Sequence, residues 1–199
     1  MERALIIFIR NPRLGKVKTR LAATIGDEKA LEVYRRLLQH TWEIVNNVTA
    51  CVFIFVTETL EDNNWRQFTL VQQEGEKLGE KMSHAFQHVF SEGYKSVVII
   101  GSDCPELLQG HINDAFNALV TGDLVIGPAK DGGYYLLGMR KFYPGIFENI
   151  SWSTSKVFEK TIDNARLLNL TVDKLEMLSD LDEVNDMPPR WIKEMDILI

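Results

Sequence analysis

Four short apolar runs constrain this chain more than any other feature: ALIIFI (4–9), ACVFIFV (50–56), SVVII (96–100) and DLVIG (123–127). Each is continuous rather than alternating, and rich in β-branched residues. A strand with one face in water alternates apolar and polar positions; a strand covered on both faces need not. Between the runs lie helical patterns. Asp27 is placed to cap a helix through Ala30, Val33, Tyr34, Leu37, Leu38 and Ile44. Leu78, Met82, Ala85, Phe86, Val89 and Phe90 recur at helical spacing and stop at Gly93, and residues 107–120 and 153–168 repeat the pattern.

Strand alternating with helix requires crossover connections, so the chain reads as an α/β fold with a mostly parallel central sheet and helices on both faces. Its 199 residues are expected to form one domain, 1–199, with no internal repeat and no linker of the length a second domain would need. In such sheets ligands bind at the carboxyl ends of the strands. The residues after Ile9, Val56, Ile100 and Ile126 are therefore where function is expected.

The net charge of −6 excludes a generic nucleic-acid binder but not a small anionic ligand, which needs only a local basic patch. Cys51 and Cys104 are too few for a disulfide framework, which points to a reducing cytoplasm. Cys51, opening an apolar run, reads as a small buried hydrophobe. The apolar stretch of MERALIIFIRNPR is too short for a membrane span.

At the end of the first run, RNPRLGKVKTRLA (10–22) places Arg10, Arg13, Lys16, Lys18 and Arg20 in eleven residues, with no acid between Glu2 and Asp27. Pro12 and Gly15 keep the loop irregular, and Gly15 permits close backbone approach. Cations at a strand-to-helix turn suit a diphosphate or triphosphate. Neither GxxxxGK[ST] nor GxGxxG can be placed here. The competing reading is a solvated basic turn.

After the third run, Asp103 is placed to hold Mg²⁺ against substrate phosphates, or else to cap a helix beginning near Pro105. Cys104 beside it has no nearby histidine to activate it. In GPAKDGGYYLLGM (127–139), Gly132 and Gly133 permit a turn or an approaching ligand, and Asp131 projects at the same rim as Asp103. Tyr134–Leu137 then returns as an antiparallel strand. SDLDEVNDM (179–187) carries Asp180, Asp182, Glu183 and Asp186, either as an acidic helix start or as the source of a second metal ligand. His84 and His88 lack a third ligand and read as a solvent flank. Trp152 reads as core or as a face for a sugar or base, before a helix that Ser151 or Ser153 is placed to cap.

Taken together, KVKTRLA, LGEKM, IGSDCPEL, GPAKDGGYYLLGM, ISWSTSKVF and SDLDEVND resemble the motif set of small bacterial GT-A-fold glycosyltransferases of the radical-SAM or arsenosugar-associated type. These lie within the nucleotide-diphospho-sugar transferase superfamily. The superfamily also includes the molybdenum-cofactor and phospholactate guanylyltransferases, which the chain resembles in layout. The resemblance implies a single GT-A domain, a nucleotide and a divalent cation, Mg²⁺ or Mn²⁺. Asp103 matches the metal-binding aspartate and Asp182 the first residue of a late D-T-P-x-D-L segment. Thr and Pro are missing from that segment here, which makes Asp180 the substitute candidate. The single Gly15 departs from the glycine-rich G-x-G-x-R loop of the nucleotidyltransferases.

The expected activity is metal-dependent transfer from a nucleotide-diphosphate sugar to a small-molecule acceptor. Lys16, Lys18 and Arg20 would stabilise the phosphates, and Asp131 would serve either as base for an inverting transfer or as acceptor for a sugar hydroxyl, beside the Gly132–Gly133 backbone. One alternative is nucleotidyl transfer with release of pyrophosphate. Another is a non-catalytic nucleotide-binding partner of a larger assembly.

Overall fold

The computed structural model describes residues 2–197. In chain order the elements are β1 (Arg3–Ile9), α1 (Thr19–Ile25), α2 (Asp27–Val45), β2 (Cys51–Val56), β3 (Thr69–Gln72), α3 (Leu78–Ser91), β4 (Ser96–Ile100), α4 (Gln109–Ala118), β5 (Leu124–Pro128), β6 (Tyr134–Met139), α5 (Val157–Leu167), β7 (Val172–Lys174) and α6 (Pro189–Glu194).

β1 shows why the apolar runs are continuous. Leu5, Ile7 and Ile9 enter a core shared with Tyr34 and Leu38 of α2 and Ile112 and Phe116 of α4. Ala4 and Ile6 point the other way, onto Phe86 and Val89 of α3 and Ile162 of α5. Both faces of the strand are dry, so neither needs polar residues.

The sheet has seven strands in the order β3-β2-β1-β4-β6-β5-β7. All pairings are parallel except those of β6, which runs antiparallel to both β4 and β5. The registers Ile9↔Val56, Ile7↔Ile100 and Ile100↔Leu136 bring the carboxyl ends of β1, β2 and β4 to one edge, where β6 begins. This is the mostly parallel α/β sheet, with helices on both faces, that the runs predict.

A third apolar cluster lies outside the sheet and gathers Leu21 of α1, Leu37 of α2, Leu181, Val184 and Trp191 of α6. Leu21 and Leu181 are fully buried. At roughly 1.5–3 kcal/mol for each large side chain removed from water, this cluster holds the late segment against the first loop.

Several local expectations are corrected. Cys51 is exposed at the first position of β2 rather than buried, because the covered part of the strand starts at Val52. Asp27 is the first residue of α2, not its cap; Gly26 occupies that position. Neither Ser151 nor Ser153 caps α5, which follows Lys156. β3, β7, α1 and α6 carry weak sequence signals: β3 is a largely exposed edge of four residues, and β7 has three.

Candidate functional site

The carboxyl edge of the sheet opens into a cleft of ≈ 810 Å³. Its floor is β4 and β6, at Ile99, Ile100 and Leu136. One wall is the loop after β1, through Arg10, Lys18 and Arg20, together with Asp103, Asp180 and Asp182. The opposite wall is the first turns of α3 with Trp152, Ser153 and Thr154.

Tertiary contacts bring the first wall together. The backbone N–H of Leu181 donates to the carbonyl oxygen of Asp103 at 2.8 Å. Leu178 N–H donates to Pro128 O at 3.1 Å and Lys130 N–H to Leu178 O at 3.0 Å, so the late segment extends the sheet beyond β5. Buried Leu181 then leaves Asp180 and Asp182 on the cleft side.

Lys18 sits within this group. Its Nζ lies 3.1 Å from Asp103 Oδ1 and 3.9 Å from Asp182 Oδ1, and donates to Leu181 O at 2.7 Å. Arg20, exposed at the rim, pairs with Asp182 at 3.2 Å. Burial, then the neighbouring charges of Asp103 and Asp131, push the Asp180 carboxyl up to about 7. A carboxyl held that far above its ordinary range among like charges marks a functional-site candidate. The donor set is all oxygen, which suits a hard divalent cation. Among the described residues, no three His, Cys, Asp or Glu side chains are already gathered into a ligating group.

Asp103 does not cap a helix: α4 begins only at Gln109, and the Asp103 carboxylate pairs with Lys18 instead. Gly15 and Lys16 lie outside the cleft. Both are exposed, and Gly15 turns the loop with φ 68°. Arg13 is drawn away by Glu58 at 2.9 Å and Glu61 at 2.8 Å. Arg10 remains at the mouth, its backbone clamped by the Tyr34 hydroxyl, which accepts from Arg10 N–H at 3.2 Å and donates to Arg10 O at 3.1 Å. Burial pushes the Tyr34 phenol up to about 12 and keeps it a donor.

In the β5–β6 turn, Asp131 Oδ1 accepts from Gly133 N–H at 2.8 Å, and Asp131 and Gly133 face the cleft. Gly132 does not provide the ligand access expected of it. At φ 88° it lies against the Ser155 backbone, where a Cβ would collide, and its carbonyl accepts from Phe158 N–H at 2.9 Å. Trp152 is a packed residue that also reaches the cleft. It covers Gly79, leaving no room for a Cβ there, and packs 6.4 Å from the Phe147 ring. His88 pairs with Glu92 at 3.3 Å, away from the cleft.

Sequence reading missed Tyr34, Gln73, Lys81 and Ser102 as cleft residues. Tyr34 and Lys81 are hidden inside helical patterns. Ser102, beside Asp103, was the accessible signal.

This fold and site define a GT-A-like nucleotide-diphospho-sugar transferase fold. A Desulfovibrio desulfuricans G20 protein assigned to that class is 36% identical and superposes with a TM-score of 0.86, covering 92% of this chain and 84% of that one. The chain belongs to the family described as "Uncharacterized protein conserved in bacteria (DUF2064)", matched over residues 40–154. A distant relative is the 2-phospho-L-lactate guanylyltransferase of Methanocaldococcus vulcanius, 23% identical over 137 residues. The match covers 68% of this chain and 61% of that enzyme's length. Rv0371c of Mycobacterium tuberculosis, solved with manganese, shares the fold alone, at 11% identity with a TM-score of 0.58 and full coverage of both chains.

Proposed function

We propose that the protein is a transferase whose donor is a nucleotide-diphosphate sugar, with the phosphates at the Arg10–Arg20 wall and a small acceptor near Asp131. The observation that carries this reading is the meeting of Asp103, Asp180 and Asp182 with Lys18 at the strand ends, opposite a wall of Trp152, Ser153 and Thr154. The first wall suits diphosphate and cation; the second offers an aromatic face and hydroxyls to a sugar or acceptor.

Asp103 and Asp180, with Asp182 beside them, would hold Mg²⁺ or Mn²⁺. A divalent cation held there would supply positive charge against the departing phosphates. Arg20, exposed at the rim, stabilises the same charge through its guanidinium. Asp131 has one oxygen fixed by Gly133 N–H, and its other oxygen takes the proton of an acceptor hydroxyl. The acceptor oxygen bonds to the sugar's anomeric carbon as the bond from that carbon to the diphosphate breaks, and the nucleoside diphosphate leaves.

A second reading is favoured by the guanylyltransferase relative. There a phosphorylated acceptor attacks the α-phosphorus of a nucleoside triphosphate and releases pyrophosphate. The sugar-transferring reading carries with it the radical-SAM and arsenosugar association and a cytoplasmic setting. Among the described residues no helix is long and apolar enough to cross a membrane.

The test is a thermal-shift panel of nucleoside diphosphates, triphosphates and nucleotide sugars, with and without Mg²⁺, followed by product analysis. A bound nucleotide raises Tm by an amount that grows with its concentration. Released nucleoside diphosphate supports the first reading, and pyrophosphate the second. If no nucleotide raises Tm, or Asp103→Ala keeps the Mg²⁺-dependent rise, the site assignment fails.

A further inference from the structure

Lys18 has a use that phosphate binding does not explain. Its side chain is only 5% exposed, and its ammonium is engaged by Leu181 O at 2.7 Å, Asp103 Oδ1 at 3.1 Å and Asp182 Oδ1 at 3.9 Å. The Leu181 carbonyl takes one hydrogen bond, and the two carboxylates stand at ion-pair distance on the same ammonium. A phosphate can reach Arg20, whose side chain is 70% exposed, far more readily than the enclosed ammonium of Lys18. The backbone of Lys18 is left-handed, at φ 48° and ψ 45°, which is costly for a residue with a Cβ. That strain is maintained at the entry to α1, with the side chain turned inward onto the acids.

We propose that Lys18 is a positioning residue: a built-in counter-ion that holds Asp103 and Asp182 in place before any ligand arrives and weakens their hold on a free divalent cation. The inference rests on the reading of Asp103, Asp180 and Asp182 as the cation site. Carboxylates that line one cleft draw a cation toward them. With a fixed ammonium among them, an incoming cation meets like charge and must break the Lys18–Asp103 pair. A cation already neutralised by a nucleotide's phosphates meets less repulsion, and the displaced ammonium then has phosphate oxygens to turn to. The cation therefore enters with the nucleotide rather than ahead of it.

The experiment is a titration with Mn²⁺ alone, following free Mn²⁺ by electron paramagnetic resonance. Lys18→Met is expected to bind Mn²⁺ about tenfold more tightly than the wild type, a coupling of ordinary size. Lys18→Arg, which keeps the charge, is expected to stay near the wild type. A purely structural lysine predicts the opposite sign, because losing it would loosen the acids and weaken binding. Should Lys18→Met not fold, Lys18→Gln removes the charge and keeps a donor for the Leu181 carbonyl. Equal or weaker Mn²⁺ binding by the folded neutral variant overturns the proposal, as does an absence of binding in both proteins. Asp103→Asn separates the two readings: if it leaves Mn²⁺ binding unchanged, the cation site itself is wrong, whatever Lys18 does.

Discussion

Leu181 N–H donates to Asp103 O at 2.8 Å, joining a late loop to the end of a central strand. Lys18 donates to the carbonyl oxygen of the same Leu181, whose side chain is fully buried. The cleft wall is thus anchored by a residue whose apolar side chain is buried away from it.

Leu181→Ala should accordingly harm both stability and binding. A buried leucine truncated to alanine costs about 2–5 kcal/mol. At roughly 2–4 °C per kcal/mol for a chain of this size, Tm should fall by on the order of 10 °C. The stabilisation by nucleotide plus Mg²⁺ should shrink as well. Leu167→Ala, at a residue 77% exposed, is the control and should stay within about 0.5 kcal/mol of the wild type. Calorimetry of both variants checks this.

Asp180→Asn should stabilise the ligand-free protein at neutral and alkaline pH. The Asp180 carboxyl is pushed up to about 7, above the ordinary value of about 3.9 that an unfolded chain shows. The folded state then binds the extra proton, so stability falls as pH rises from about 4 through 7. Asparagine removes that cost. Its advantage should reach the order of 1 kcal/mol or more at pH 8 and vanish near pH 4, while the Mg²⁺-dependent rise in Tm disappears. Melting curves across pH would contradict this if the two proteins ran parallel.

Asp123 should control acid stability. Its carboxylate accepts from Thr171 N–H at 3.0 Å, Thr171 Oγ1 at 2.8 Å, Tyr143 Oη at 3.1 Å and Arg140 Nε at 2.9 Å. The bonds from Thr171, first among these causes, lower its carboxyl to about 2. The folded value lies below the unfolded one, so the contribution is full above pH 4 and is lost as pH falls through 2. Asp123→Ala should cost about 2 kcal/mol at pH 7, because it strands donors that had a charged partner. Its deficit against the wild type should narrow below pH 3, as read by urea denaturation at each pH.

Gly132→Ala should be more damaging than a turn glycine suggests. The residue combines φ 88° with contact against the Ser155 backbone, so alanine adds both strain and a collision. A loss of about 2 kcal/mol or more is expected, roughly 4–8 °C in Tm. Gly26→Ala, also left-handed but with open space around it, should cost less. Equal losses at the two positions would show that backbone strain alone decides.

The sheet was legible from the chain because two-sided burial writes itself locally. ALIIFI, CVFIFV, SVVII and LVIG need no polar positions when both faces are dry, and the turn signal DGG between β5 and β6 is equally local. β3 and β7 were not legible, since four and three residues at sheet edges lack both the burial and the length to make a pattern. Cys51 followed from extending an apolar run one residue past its cover.

The sequence by itself determined the α/β class, the edge of the sheet where the cleft opens, and the residue types available there. It could not assign partners to the charges. Of the cations in RNPRLGKVKTRLA, Arg13 is spent on Glu58 and Glu61, Lys16 faces solvent, and Lys18 is buried among carboxylates. Among the late acids, Asp182 pairs with Arg20, while Asp180 lies close enough to Asp103 and Asp131 for their charges to raise it. Residues far apart in the chain decide these matters through Leu21, Leu181 and the Leu181–Asp103 bond. Charge interactions depend on distance and burial in the folded state, and neither is written in the local pattern.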